Sequence, residues 1–377
     1  MNGSPNGTPS SLPTASLRNI TIALGLGSTG GAIFFALSLP LPWMLGAMAA
    51  TSVAAISGAQ LAMSKHLRNF MIAVIGVLLG SAFTPDLADQ ITQWAVSLAI
   101  LAVFLVLLAI LVPMFLRRAG YDRATAFFSA LPAGLTEMTA VGSDNGGNPQ
   151  TIALTHTVRV FIVAFAIPFL MVTFAGYERP DTMSAVPRNV SLCDIGLLSA
   201  CCIAGLWFGL KIKFPAGALA GPLMLSAAVH VSGLTASSPP EVLIASAQVV
   251  LGASVGSRFS GLTLATSRKI LGLAVVVTIG MITLSGIGAI ILGPIVGINS
   301  MALLLALAPG GVTEMSLMAL ALDQDIAFVT THHIVRIALI VMIGPVVFAA
   351  LEKWRRKRRG VTNESQEWPP KARGPGA

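Results

Sequence analysis

The stretch Pro132-Ala-Gly-Leu-Thr-Glu-Met138 recurs as Pro309-Gly-Gly-Val-Thr-Glu-Met315, 177 residues later. Each copy sets a Pro/Gly break and then a carboxylate inside an apolar run. Working outward, His156-Thr-Val-Arg159 recurs as His333-Ile-Val-Arg336, and Pro168 as Pro345, at the same offset of 177. Gly76-x-x-x-Gly-Ser-x-Phe83 recurs as Gly252-x-x-x-Gly-Ser-x-Phe259 at 176, and Pro40, Gly46, Ser57 and Gly58 recur as Pro215, Gly221, Ser232 and Gly233 at 175. The offset grows by one residue twice, as loop insertions would make it. The chain is a duplication.

Composition sets the solvent. Of 377 residues 55% are hydrophobic and 10% charged, with a mean hydropathy of +0.82; a soluble domain is about 25% charged. This excludes a soluble globular enzyme, a disordered chain, a coiled coil and a basic nucleic-acid-binding domain. A spanning helix needs about 20 apolar residues. On that rule twelve apolar segments follow: Ile20–Leu39, Trp43–Leu61, Phe70–Thr84, Trp94–Leu116, Ala124–Val141, Ile152–Ala175, Cys193–Leu210, Ala216–Leu234, Val242–Gly256, Ile270–Leu292, Ser300–Leu322 and Ile326–Leu351. Backbone groups in lipid must be satisfied internally, so the segments are helices and the fold class is an all-α polytopic membrane protein. Four regions follow: a disordered Ser/Pro/Gly tail over 1–19, membrane repeats over 20–190 and 191–351, and a basic tail over 352–377.

The 23 cations give the direction of each repeat. In the first half they precede segment one (Arg18) and follow segments two (Lys65, Arg68) and four (Arg117, Arg118, Arg123). In the second half the matching loops Thr235–Glu241 and Gly293–Asn299 carry none. The cations sit instead at Lys211, Lys213, Arg258, Arg268 and Lys269. Since positive loops stay in the cytoplasm, the repeats are inverted. Inversion needs an odd number of crossings, so one segment per half enters and leaves on one side. The Pro/Gly-broken fifth segments are the candidates. This predicts about five spanning helices plus one re-entrant segment per repeat, a multi-pass protein of the bacterial inner membrane, and both termini in the cytoplasm. The alternative is twelve full crossings with parallel halves, which puts the second-half cations outside.

Glu137 and Glu314 are the sharpest functional candidates. A carboxylate at membrane depth costs about 2.5–3.5 kcal/mol or more, so it faces protein or water. Broken helices in corresponding positions of two repeats point to a transporter's substrate site. Thr136, Thr313, Gly134 and Gly311 belong to the same breaks. In a purely structural reading the threonines cap the resumed half-helices and each Glu complements the helix dipole. Arg159 and Arg336 need buried partners, and the Glu of the same repeat is the expected one, in a structural or a functional role. His156 and His333 share a helical face with these arginines and could couple flux to protons, or be hydrogen-bonded only. His332 replaces Thr155 of the first repeat.

Other features read as architecture. Asp144, Asp323 and Asp325 fit solvated turns. The GxxxG pairs Gly76/Gly80 and Gly252/Gly256 fit close helix packing. Trp43, entered through Pro40 and Pro42, fits an interfacial helix start. The three cysteines, Cys193, Cys201 and Cys202, form neither a disulfide framework nor a zinc pattern. The run Lys353–Arg359 directly follows a spanning segment and fits contact with anionic lipid rather than nucleic acid. The five histidines, His66, His156, His230, His332 and His333, offer no convergent ligand set, so neither a metal nor a cofactor is expected.

The PxGxTEM and H-x-x-R blocks of both halves resemble the AbrB-duplication family of bacterial inner-membrane proteins, over essentially the whole membrane region. Members are often labelled ammonia monooxygenase or membrane regulator of gene expression. The resemblance implies a two-repeat integral membrane protein without implying an activity. Three functions are weighed. A secondary transporter of a small polar or ionic solute fits the broken segments best. An indirect regulator of gene expression is the alternative, with no direct nucleic-acid contact. A monooxygenase lacks metal ligands, so the chain does not read as an enzyme. The expected partners are the solute, the bilayer and, as an open option, further copies of the chain.

Overall fold

A computed structural model describes residues 16–85, 88–175, 191–212, 214–262 and 264–358. Among these residues the chain is all helical. The first repeat holds α1 (Leu17–Ala36), α2 (Pro42–Ile56), α3 (Lys65–Gly80), α4 (Ala88–Arg118), α5 (Arg123–Ala130), α6 (Leu135–Asp144) and α7 (Pro149–Ala175). The second holds α8 (Leu192–Lys211), α9 (Gly217–Val231), α10 (Glu241–Gly256, followed by a 3-10 turn Ser257–Phe259), α11 (Leu264–Val296), α12 (Ser300–Leu307), α13 (Val312–Ala321) and α14 (Ile326–Arg358). Each element of one repeat has its counterpart in the other. Even a strained turn recurs: Leu41 and Ala216, each next after a proline, have φ of 45° and 54° and precede α2 and α9.

Glycines fix the helix directions. Along α1 and α2, Gly30 lies against Gly46 and Ala50, and Gly31 against Trp43, so the two run antiparallel. Along α8 and α9, Gly205 meets Gly221 and Gly209 meets Gly217, again antiparallel. Between repeats, Gly252 meets Met44 and Ala47 while Gly256 meets Thr51 and Ser52, so α10 runs parallel to α2. Likewise Gly76 meets Leu219 and Gly80 meets Ser226, so α3 runs parallel to α9. The GxxxG pairs are therefore the close packing surfaces expected of them. The third helix of each repeat lies parallel to the second helix of the other. Helix α3 begins after a short loop whose Leu61 N donates to Ser260 Oγ just past α10, so α3 starts where α2 and α10 end and runs opposite to both. Corresponding helices thus point in opposite directions, and the repeats are inverted.

Three links gather the cationic loops at one end of the molecule. Ser260 Oγ accepts from Leu61 N at 3.1 Å, joining the end of α10 to the α2–α3 loop. Arg123 pairs with Glu352 at 3.0 Å, joining the start of α5 to the end of α14. Lys269 at the start of α11 reaches Gly120 after α4. This arrangement is incompatible with twelve crossings and parallel halves, which would separate these loops.

Among the described residues ten helices run between the two ends, and seven of them are long and apolar enough to cross a membrane by themselves. The others, α2 and α9 of 15 residues and α3 of 16, rise only about 22–24 Å. They tolerate this because neighbours surround them: Met44–Met48 of α2 and Leu219–Leu223 of α9 are buried without a break. Two boundaries differ from the sequence expectation. Helix α1 begins at Leu17, because Ser16 Oγ accepts from Asn19 N and caps it. Helix α14 continues through the basic run to Arg358. Residues 1–15, 176–190 and 359–377, with the charged stretch between the repeats and most of the two tails, lie outside the described residues.

Candidate functional site

Both PxGxTEM blocks interrupt helices. The first hairpin is α5, a break over Leu131–Gly134, and α6; the second is α12, a break over Ala308–Gly311, and α13. The half-helices have eight and ten residues in both copies and would rise only about 12 and 15 Å. The chain turns back at the first break. Asn148, after α6, donates its backbone N–H to Thr125 Oγ1 on α5 at 2.7 Å, and Gly142 lies against the Phe128 side chain. Entry and exit of the hairpin are therefore at one end, as a re-entrant segment requires. Asp122 and Asn299 cap the first half-helices, and Asn148 and Asp325 cap α7 and α14.

The breaks expose carbonyls at the ends of α5 and α12, and buried carbonyls need donors. The arginines supply them. Arg159 Nη1 donates to Ser129 O at 3.3 Å and Nη2 to Leu131 O at 3.2 Å. Arg336 Nη1 donates to Ala308 O and Nη2 to Gly310 O, both at 2.6 Å. Both side chains are almost wholly enclosed, at 2% and 1% exposure. The expected Glu–Arg ion pairs do not form: among the described residues neither arginine pairs with a carboxylate. The physical reason is position. Each Glu sits in the first turn of the resumed half-helix and folds back over its own N-terminus, where a Cβ on Gly134 or Gly311 would strike the carboxylate of Glu137 or Glu314.

Those glycines, rather than the threonines, are the N-caps. The purely structural alternative, in which Thr136 and Thr313 cap the half-helices, therefore does not describe them. Thr313 instead donates to Glu314 Oε2 at 2.8 Å, and Thr136 is exposed. Glycine at this position lets the carboxylate lie close to the free N–H groups of the half-helix, where negative charge is favoured.

His156 and His333 are also committed to the breaks. His156 Nε2 bonds Phe128 O at 2.9 Å, and His333 Nε2 bonds Leu305 O at 2.8 Å. Arg159 Nη2 donates to His156 Nδ1 at 2.7 Å. Arg has no acceptor, so Nδ1 carries the lone pair and Nε2–H donates to Phe128 O: this is the neutral ring in one tautomer. His332, the asymmetric residue, bonds Phe328 O on its own helix and Ser97 Oγ on α4, at 2.8 and 2.9 Å.

The two sites are not equivalent. Arg159 takes the carbonyls of residues 129 and 131, while Arg336 takes those equivalent to 131 and 133. Every residue of α13 from Val312 to Ala319 is buried, whereas α6 buries only Met138 and Gly142. Glu314 is 9% exposed, and Glu137 is half-buried with no hydrogen-bond partner among the described residues.

Two residues read from sequence as topological markers sit near this region. Arg258, in the 3-10 turn after α10, is half-buried and within electrostatic range of Arg68 and Glu314. Its one sequence signal was a charge directly attached to a GxxxG segment, just before Phe259. No group of three or more His, Cys, Asp or Glu suited to a metal occurs among the described residues.

Comparison with known proteins gives consistent matches. The sequence profile of the family described as "Transition state regulatory protein AbrB" matches residues 43–352. The chain is 27% identical over 354 residues to a protein named YhjN of Bacillus subtilis (strain 168), covering 87% of this chain and 92% of that one. It is 24% identical over 330 residues to a protein of Escherichia coli (strain K12) named as a candidate regulator, AbrB, covering 86% and 94%.

Proposed function

For this chain, which belongs to the AbrB family of proteins, we propose the function of a secondary transporter. It moves a small polar or ionic solute across the bacterial inner membrane, with both termini cytoplasmic. The observation that carries the reading is the pair of broken hairpins in corresponding positions of inverted repeats, each with a glutamate over an uncapped half-helix N-terminus. Broken backbone at membrane depth is tolerated where protein or a water-filled cavity satisfies it. Here Arg159 and Arg336 satisfy the carbonyl ends, which leaves the N–H ends and Glu137 and Glu314 for the solute and a coupling ion. Thr136, Thr313, Gly134 and Gly311 shape the same ends, and His156 and His333 hold the breaks in place. The inverted repeats give two related packings, as alternating access requires.

The test is solute flux. Reconstituted wild-type protein should exchange a labelled solute across proteoliposomes, and Glu137→Gln and Glu314→Gln should abolish it while the protein stays folded. Full flux in both variants would remove the site. A deletion strain whose transcript levels change independently of any solute would favour the regulator suggested by the names of the family and of the Escherichia coli relative.

A further inference from the structure

Arg68 and Arg258 are cations without partners among the described residues. No hydrogen bond or ion pair joins either side chain to a described residue, and Arg68 Nε is fully shielded from solvent. Three contacts bring the segments that carry them together. Ser260 Oγ bonds Leu61 N and Ala59 O, which fixes the 3-10 turn against the loop leading into α3. Phe259 stacks edge-on to Phe161 of α7, with ring centroids 5.6 Å apart, and shares a buried cluster with Leu154 and Val158. Helix α13 packs against both α3 and α7. Arg258 therefore projects from the junction of α3, α7 and α13, in electrostatic range of Arg68, Glu314 and His156.

Two guanidiniums in electrostatic range of each other repel, and half-burial strengthens the repulsion. Glu314 offsets one positive charge and stands outside ion-pair distance. The uncapped N-terminus of α13 adds partial positive charge. The wider interior is cationic too: Arg159 and Arg336 are buried and hold carbonyls, not carboxylates. The symmetry-related positions hold no such pair. Arg258 corresponds to Ala82, and the position matching Arg68 is Leu243 or Ile244.

We propose that Arg68 and Arg258, beside the start of α13, bind a small oxyanion of single charge, a carboxylate or a phosphodiester. The guanidinium fork matches either group bidentately. Glu314, the carboxylate in range of Arg258, disfavours a second negative charge on the ligand, which favours a monoanion. A free carboxylate would be the transported solute, and a phosphodiester would come from a lipid headgroup. The proposal deepens the transporter reading by giving the solute its charge. Binding is measured without flux, so either reading can fail alone.

The test uses full-length protein in detergent, with sodium lactate as the free carboxylate and sodium chloride at equal ionic strength as reference. Lactate should raise the Tm of wild type above chloride. Arg68→Gln and Arg258→Gln should each weaken the lactate response by about tenfold or more, and Lys65→Gln, exposed on the same helix, should not. In parallel, native mass spectrometry follows phosphatidylglycerol. Retention by wild type and loss in Arg258→Gln, with no lactate response, would name the lipid as the source. If the glutamine variants do not fold, Arg258→Lys, with its charge kept and its fork lost, should bind more weakly. Wild type that neither responds to lactate nor retains phosphatidylglycerol overturns the proposal, as does Arg258→Gln or Arg258→Lys behaving like wild type.

Discussion

The backbone N–H of Asn148 donates to Thr125 Oγ1 at 2.7 Å, tying the exit of the first hairpin to its entrance. Thr125 is buried at 2% exposure, so water does not replace this bond. Thr125→Val keeps the shape and leaves the Asn148 N–H unpaired. The expected loss is about 1–3 kcal/mol, read as a lower Tm in detergent, and Thr125→Ser should restore most of it. An unchanged Tm in Thr125→Val would mean that this bond does not hold the hairpin shut.

Because the arginines hold carbonyls, their energetics should be independent of the glutamates. A double-mutant cycle with Arg336→Met and Glu314→Gln should show coupling below about 0.5 kcal/mol. The arginine substitution alone should be costly, roughly 3–5 kcal/mol, since it strips donors from two buried carbonyls. Coupling of about 2 kcal/mol would restore the ion pair as the real contact.

The glycine contacts make a contrast between two positions. A Cβ at Gly256 would run into Thr51, Ser52 and Met48, so Gly256→Val should prevent α10 from docking on α2 and abolish stable expression. A Cβ at Gly25 on α1 meets nothing within 4 Å. Gly25→Ala should be neutral, or stabilising by up to about 1 kcal/mol through helix propensity. Fluorescence-detected size-exclusion profiles of the two variants decide this, and a monodisperse Gly256→Val would undo the packing argument.

Inverted repeats also predict accessibility. In a background without native cysteines, Lys65→Cys and Lys211→Cys should react with an impermeant maleimide from one face of the membrane. Ser238→Cys, in the loop before α10, should react from the other. Labelling of positions 65 and 211 from opposite faces would contradict the parallel pairing of α2 with α10 and of α3 with α9.

Much of this architecture was legible before any coordinates. The Pro/Gly breaks, the two glutamates and the switch of cations to alternate loops are local features, and each has one dominant physical meaning in lipid. They determined an all-helical chain, a duplication, its inversion and the re-entrant segments. The partners of Arg159 and Arg336 were not legible. A carboxylate with a matching charge stood nearby in the chain, but the guanidiniums bind main-chain carbonyls of residues 129, 131, 308 and 310. Every residue carries a carbonyl, so nothing in the side-chain pattern marks those four as unsatisfied. Only the path of the broken backbone does.

The same limit applies to Arg68 and Arg258. By position they were topological charges, and in sequence 190 residues separate them. The exchange of packing partners between repeats, with α10 against α2 and α3 against α9, brings the two into one neighbourhood. Sequence alone determined which segments are long apolar helices and that the two halves repeat, because burial and the cost of charge act on each segment separately. Tertiary structure decided which unpaired groups meet, because helix–helix contact in lipid depends on close backbone approach at glycine, and that is a property of pairs.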